Sequence, residues 1–306
     1  MIRMTDVDLR LLRIFKTVAD LKGFSAAESA LNMNLSTISS HMTDLEKRLG
    51  LRLCERGRRG FHLTEEGHSV YQAAESLLNS VEEFRADIGA IRHEISGELA
   101  IGVVDNTITD VQAKITGAIR TVKKKGGDLF LKMEIKSPDE IEAAVLERKI
   151  HVGIGPFRIM HPGLMYLPLY TENLRLYCSH LHPLFKSAPN DINTEDLQKL
   201  DYVARGYMRE SKELSAASNF KVAATVYHME AVATLVLSGN FIGFLPEHYA
   251  LQWVEQDLMR AIHPASLSHS AEFSLALLRG REQTMAVRVF VDALQSSLQP
   301  TRRMST

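Results

Sequence analysis

Cysteine is scarce in this chain. Cys54 and Cys178 are the only two and stand far apart, so no disulfide framework and no Cys-x-x-Cys metal spacing can form. Reduced thiols, as in cytoplasm, are the expectation. Long apolar runs are also missing. The most apolar stretch, Ala231 to Leu245, is interrupted by Ser238, Gly239 and Asn240 and is too short to span a bilayer. The start, MIRMTDVDLR, has no apolar signal-peptide core. A soluble, cytoplasmic protein without membrane contact is therefore expected. Catalytic signatures are absent as well: no GxSxG, GxxxxGK[ST] or HExxH occurs. The reading is of a non-enzyme without cofactor. His180 and His182 could hold a metal on a strand, but no cysteine or carboxylate follows at ligand spacing and Pro183 points to a loop, so no metal is expected.

Neither sign of charge dominates the whole, with 36 Lys/Arg against 37 Asp/Glu and a net charge of −1. The distribution says more. Residues 1–64 hold 11 Lys/Arg and 7 Asp/Glu, a surplus of four, and the remainder holds 25 against 30, a deficit of five. A basic head on an acidic body suits a nucleic-acid-binding module joined to something else. With 306 residues and 45% hydrophobic content, two or three domains with sizeable cores are available.

The head is organised by residues 24–50. Ser25 and Glu28 have the spacing of a capping box for a first helix, whose Ala27, Ala30 and Leu31 form a small-residue face. Asn32-Met33-Asn34 is a sharp turn, with Asn34 placed to cap the next helix. There Leu35, Ile38, Met42, Leu45 and Leu49 make an apolar stripe, while Ser36, Thr37, Ser40, His41 and Asp44 face the other way. Two short capped helices around a three-residue turn form a helix-turn-helix, spanning about residues 24–43. Its hydroxyl-rich face can read base edges in a major groove, and Asp44 would stop insertion about two turns in. The candidate DNA-binding residues are Ser25, Asn34, Ser36, Thr37, Ser39, Ser40 and His41. An ordinary amphipathic helix with a polar solvent side is the plainer alternative for this helix alone. An earlier helix, capped by Asp6 or Asp8, would complete a three-helix core through Leu9, Leu12, Phe15 and Ala19. After Gly50 two short alternating runs flank Gly57-Arg58-Arg59-Gly60, a β-hairpin wing. Arg56, Arg58 and Arg59 could reach phosphate or a narrow minor groove.

The stretch from Asp8 to Gly67 resembles the winged helix-turn-helix of LysR-type transcriptional regulators. The landmarks are DLRLLRIF, GFSAAESAL, LEKRLGLRLCERG and LTEEG. Three places depart from the commonest pattern. Asn34, Leu35 and Ser36 replace Ser-Gln-Pro, Ser40 and His41 replace Arg-Gln, and Cys54 replaces the wing phenylalanine. Base preference cannot be borrowed from relatives.

A long helix then begins at Thr64, with Glu65 and Glu66 at its positive end. Ala74, Leu77, Val81, Phe84, Ile88, Ile91 and Ile95 alternate steps of three and four, as a coiled-coil seam does. Leu77, Val81, Phe84, Ile88 and Ile91 are the candidate dimerisation residues, and the resemblance implies the same pairing role.

From Gly97 strands and helices alternate, which predicts a mostly parallel sheet. Strands are expected at 98–104, 129–135 and 150–154, then at 164–169 and 174–178, with Gly126-Gly127 read as a helix end and turn. HLHPLF and LVLSGNFIGFLPEH extend the resemblance to the LysR effector domain, a two-lobed α/β fold like type 2 periplasmic binding proteins. His151 stands where relatives usually carry Asp. The expected division is 1–64 for the winged head, 65–95 for the linker and 96–306 for the effector domain. Lobe I is placed at about 96–160 and 267–306, and lobe II at about 161–266.

Ligands in such open sheets bind at the carboxyl ends of strands. The candidates are Asp105, Asn106 and Thr107 after the first strand, Ser137 and Pro138 after the second, and Arg205, Tyr227, His228 and Phe244 from the other lobe. Arg205 could clamp a carboxylate, His228 could titrate and Phe244 could wall the cleft, whereas Asp105 opposes a simple anion. Ser137 and Thr107 serve equally well as plain helix caps. The functional expectation is a dimeric or tetrameric regulator that binds double-stranded DNA, meets RNA polymerase and answers to an unidentified small molecule. Alternatives are a regulator with a vestigial cleft, or an enzyme or solute carrier on the same two-lobed fold.

Overall fold

A computed structural model describes residues 6–57, 60–91, 95–187, 194–206, 220–262, 267–280 and 283–298. The chain divides into two compact units, Met1–Ile88 and Gly89–Thr306.

The first unit opens with α1 (Asp6–Asp20), α2 (Phe24–Leu31) and α3 (Leu35–Leu49). Leu11, Phe15 and Val18 of α1 meet Phe24 and Ala27 of α2 and Ile38, Met42 and Leu45 of α3 in one buried core. Asp8 is not left to cap α1: it is buried and pairs with Arg48 at 3.2 Å, tying the first helix to the end of the third. Leu35, expected in the apolar stripe, is exposed at the start of α3. Strands β1 (Cys54–Gly57) and β2 (Gly60–Leu63) pair antiparallel with Gly57 opposite Gly60, which is the expected wing. Arg58 and Arg59 at its tip, and the side chain of Arg56, lie outside the described residues. Cys54 is buried in the head core, which explains how it stands in for an aromatic wing residue.

Helix α4 (Glu65–Ile91) starts from Thr64, whose hydroxyl accepts the Gly67 amide at 2.9 Å. A Cβ on Gly67 would lie 1.9 Å from the Leu53 carbonyl oxygen, so the LTEEG turn needs glycine there. Ala74 and Leu78 are buried, whereas Leu77, Phe84 and Ile88 are 37%, 64% and 41% exposed. The seam is shorter than the sequence period implies. The helix ends at Ile91, whose side chain lies outside the description, and Ile95 already belongs to a strand and its core.

The second unit is built on one mixed sheet, not a mostly parallel one. Strand β3 (Ile95–Val103) lies parallel between β4 (Gly126–Ile135) and β5 (Val152–Gly155), and α5 (Ile115–Lys125) and α6 (Pro138–Leu146) make the crossovers. Gly126 and Gly127 are not a turn: β4 begins directly after α5. Next to β5 comes β11 (Ser268–Leu278), antiparallel, and next to that β6 (Leu164–Ser179), also antiparallel. The two expected strands at 164–169 and 174–178 are this one continuous strand. Its far half also pairs with β9 (Gly243–Pro246) and β10 (Met259–Ala261). Thus β6 and β11 run through both lobes. Their register slips between Phe273 and Ser274, where Tyr170 and Pro168 are the partners and Leu169 is left over. Pro168 has no N–H to give the ladder, which accounts for a bulge there.

Lobe II adds α7 (Thr194–Leu197), the parallel pair β7 (Asp201–Arg205) and β8 (Lys221–Val226), α8 (Met229–Leu237) and α9 (Glu247–Val254). Its own core joins Leu176, Cys178, Tyr202, Phe220, Ile242 and Phe244. Helix α10 (Met285–Leu298) packs on α5 and β3 in lobe I. The expected two-lobed α/β effector fold is what is found.

His151 takes a structural place between β5 and β3. Its Nδ1 accepts the Ala100 amide at 2.9 Å, and burial, with Lys132 nearby, holds its proton affinity below the ordinary 6.5. Above that value folded and unfolded imidazoles are both neutral. As pH falls through it, the unfolded chain takes a proton that the folded chain resists, so stability is lost on the acid side. Urea midpoints should fall between pH 7.5 and 5.5. His151→Ala should cost about 1–3 kcal/mol at pH 7.5 by orphaning the amide, and should flatten that pH slope. A slope unchanged in the variant would assign the pH dependence elsewhere.

Candidate functional site

The head presents α3 through an unexpected cap. Ser25 is exposed and makes no side-chain cap, because α2 starts one residue earlier, after Gly23. Glu28 reaches instead across the turn, and its carboxylate accepts the Leu35 amide at 2.6 Å. Asn34 caps α3 as the sequence indicates, taking the Thr37 amide at 2.9 Å. Its Oδ1 also receives the hydroxyls of Ser36 at 2.8 Å and Thr37 at 2.7 Å. A carbonyl oxygen has two lone pairs, so three donors oversubscribe it. One hydroxyl can turn to a new acceptor without stripping the cap. Ser36 and Ser40 are exposed, and Thr37, Ser39 and His41 are half-buried along the same turns. Asp44 is held by Arg48 at 3.2 Å, which closes the polar face on its far side. Ile38, Met42 and Leu45 anchor the opposite side in the core.

In the second unit four of the expected cleft residues converge. Asp105 follows β3, and its carboxylate accepts the first amide of α8, from Met229. His228, immediately before that helix, holds Nδ1 3.8 Å from the same carboxylate. Arg205 is buried, with Nη1 3.9 Å from Met229 Sδ. Burial pushes the Asp105 carboxyl up, while the Met229 amide, His228 and Arg205 pull against that. Tyr227 is exposed and lies so close over Gly206 that a Cβ there would meet its ring at 2.5 Å. The anion position at the α8 N-terminus is thus filled by the protein's own carboxylate.

The remaining candidates fall elsewhere. Ser137 is bound to its own helix, with amide and hydroxyl donating to Glu140 at 2.9 and 2.7 Å, and Pro138 is the buried first residue of α6. Those two bonds hold the Glu140 carboxyl below the usual range. Asn106 adopts a left-handed φ of 58°, and Thr107 opens the short 3₁₀ turn Thr107–Thr109. Both line a cavity of 560 Å³ on lobe I, walled by Ile108, Val111, Ile115, Ile119, Met133 and Ile135. Phe244 does not wall a cleft: it is 1% exposed, with its ring against Tyr202 and His269 in the lobe II core. His180 and His182 do not act together, since His182 accepts the Leu184 amide while His180 faces the Leu258 carbonyl.

Sequence reasoning missed a second tie between the lobes. The Thr109 hydroxyl meets His248 Nδ1 at 2.8 Å, and His248 Nε2 lies 2.9 Å from Glu172 and 3.7 Å from Asp110. These residues are too widely spaced for any motif. Glu28 was missed differently, because its spacing fits a capping box and only the fold redirects it.

A three-helix head with a hairpin wing, followed by a two-lobed unit crossed by two long strands, defines a class: a helix-turn-helix regulator with an effector-type domain. The family model "Bacterial regulatory helix-turn-helix protein, lysR family" matches residues 9–68, and "LysR substrate binding domain" matches residues 92–299. The transcriptional activator BauR of Pseudomonas aeruginosa is 40% identical over 295 residues, covering 96% of this chain and 97% of the relative. The regulator BenM of Acinetobacter baylyi is 28% identical over 62% of each chain. The fold is similar to full-length CbnR in complex with its target DNA, with a TM-score of 0.68 and 21% identity over 94% and 99% of the two chains. It is also similar to full-length OxyR of P. aeruginosa, with a TM-score of 0.64 and 18% identity over 99% of each. The chain belongs to the LysR family of transcriptional regulators. No helix among the described residues is long and apolar enough to cross a membrane.

Removing either cap tests the account of α3. Asn34→Ala and Glu28→Ala should each lower head stability by about 0.5–2 kcal/mol in urea titrations of the full chain. Equal melting of wild type and both variants would mean that α3 is held by its core residues alone.

Proposed function

We propose that this protein regulates transcription by binding a specific double-stranded DNA site as a homodimer or a pair of dimers, and that a small molecule between the lobes sets its activity. The observation that carries the reading is the capped first half of α3. It offers the small hydroxyls of Ser36 and Ser40 to solvent while Ile38 and Met42 hold it in the core. Ser36, Thr37, Ser39, Ser40 and His41 would meet base edges, Asn34 and Ser25 would lie near the backbone, and Arg56, Arg58 and Arg59 would contact phosphate. Leu77, Val81, Phe84, Ile88 and Ile91 would pair two copies along α4. The exposed Phe84 and Ile88 support this, since isolated apolar side chains of that size gain from a second copy. Two-fold pairing doubles the DNA contact and sets half-sites about 34 Å apart or at a multiple of that spacing.

The division of labour is residues 1–64 for DNA, 65–95 for pairing and 96–306 for the effector. Effector contact is assigned to Asp105, Arg205, Tyr227 and His228, with Asn106, Thr107, Ser137 and Pro138 at the margin. A single-anion ligand would have to displace Asp105 from the α8 N-terminus, so the site favours a ligand that also offers hydrogen-bond donors or a positive group to that carboxylate. A ligand that binds better with these inter-lobe ties closed, or with them broken, would shift the balance between lobe arrangements. The protein acts by binding, in the cytoplasm, with RNA polymerase as its downstream partner. The naming of its 40% identical relative as an activator supports activation as the sign.

Two classes of variant separate the roles. Ser40→Ala should cost on the order of 1–3 kcal/mol at the specific site and little on unrelated DNA. Arg58→Ala should weaken binding to every duplex and reduce the slope of affinity against salt. Fluorescence anisotropy at several salt concentrations reads both. Identical behaviour of the two variants would overturn the assignment of base and phosphate contacts.

A further inference from the structure

The junction of the lobes holds a cluster that the DNA-binding and effector readings leave unused. Asp110 ends the segment after β3, Glu172 sits on the crossing strand β6 and His248 lies in the first turn of α9. Their side chains are 3%, 4% and 19% exposed. One ligand atom from each lies within 4.8 Å of the others. We propose that Asp110, Glu172 and His248 bind a divalent transition-metal ion that fastens lobe I to lobe II. The inference goes beyond the regulatory reading and does not depend on DNA binding.

The contacts around His248 set the site. The Thr109 hydroxyl lies 3.0 Å from the Asn106 carbonyl oxygen and 2.8 Å from His248 Nδ1. When it donates to the carbonyl, its lone pair accepts from Nδ1 and the lone pair of Nε2 faces the carboxylates. Nε2 lies 2.9 Å from Glu172 Oε1. In that tautomer two lone pairs face each other at contact distance unless a positive charge lies between them. A proton on Nε2 would serve Glu172, but would leave Asp110 Oδ2 at 3.7 Å. That oxygen is buried, and among the described residues its donor is at most the Tyr170 hydroxyl, in a contact short of full hydrogen-bond geometry. Its partner Oδ1 accepts the Gln112 amide at 2.8 Å, so the carboxylate is aimed by its own loop. One ion shared by Nε2, Oε1 and Oδ2 serves all three atoms.

The geometry and donors fit such an ion. Tetrahedral coordination with bonds of about 2.1 Å places ligand atoms about 3.4 Å apart, and Nε2 already lies 2.9 Å from Oε1 and 3.7 Å from Oδ2. An imidazole with two carboxylates selects zinc or a neighbouring first-row ion over magnesium or calcium. The Tyr170 hydroxyl faces the same carboxylates. Burial, then the charges of Asp110 and Glu172 and a hydrogen-bonding contact with Asp110, push its ionisation far up, so it stays a neutral phenol beside the site. No Lys or Arg pairs with Asp110 or Glu172 among the described residues.

The test uses the full chain after chelation and dialysis. Calorimetric titration with Zn²⁺ should give one ion per chain, and Mg²⁺ at the same concentration should give no heat of binding. Glu172→Gln and His248→Gln should each weaken zinc binding at least about tenfold, and Thr109→Val, which releases the imidazole, by about tenfold. Zinc should raise the unfolding temperature of wild type and leave that of Glu172→Gln unchanged. This readout needs only the folded wild type if a variant fails to fold. Absence of saturable zinc binding would overturn the proposal in favour of a shared proton. Equal affinity in wild type and both ligand variants would overturn it in favour of adventitious surface sites.

Discussion

Everything the head can do depends on how the first turn of α3 is satisfied. A helix start leaves four amides without partners, and a helix that reads DNA cannot cover them with bulky neighbours. Here the solution comes from beneath and behind. Glu28 of the preceding helix takes the Leu35 amide, and Asn34 takes the Thr37 amide. The outward turns are left with small side chains, and the inward ones hold Ile38 and Met42 without exposure. Cap and core together fix the depth and pitch of the helix. The surplus of donors on Asn34 Oδ1 leaves a hydroxyl that can change partner, which is what contact with a base edge asks of it.

The second unit rests on a different constraint. Strands β6 and β11 belong to both lobes, so each lobe contributes half of one ladder. Relative motion of the lobes must bend that ladder, and the bulge beside Pro168 and Leu169 is where it is already irregular. Two polar ties close the lobes on one side of it. Asp105 engages the start of α8, and Thr109 with Asp110 engages His248. Both ties come from the same short stretch after β3, so a ligand or ion acting on that stretch acts on both.

Much of this was legible in the sequence because it is local. The three-helix order, the Asn34 cap, the two-glycine wing and the alternation of strands and helices depend on residues a few positions apart. The missed features depend on distant partners. Glu28 has the spacing of a capping box, but the start of α2 at Phe24 takes that role away from Ser25. Phe244 sits in a stretch that suggests a cleft wall, but its strand pairs with the buried half of β6, which turns the ring into the lobe II core. The polar run Thr171-Glu172-Asn173 hid the continuity of β6, because a strand crossing between lobes carries polar side chains through the junction, where Glu172 is buried. Asp110, Glu172 and His248 meet only through the closed fold.

The central claim is that this head reads sequence and does not merely adhere to charge. The most direct measurement is the affinity of the purified full-length chain for a duplex from its own upstream region against an unrelated duplex of equal length, at physiological salt. The account predicts a preference of at least about 10³, with protection of two related half-sites. Equal affinity for the two duplexes, disappearing together as salt rises, would contradict it.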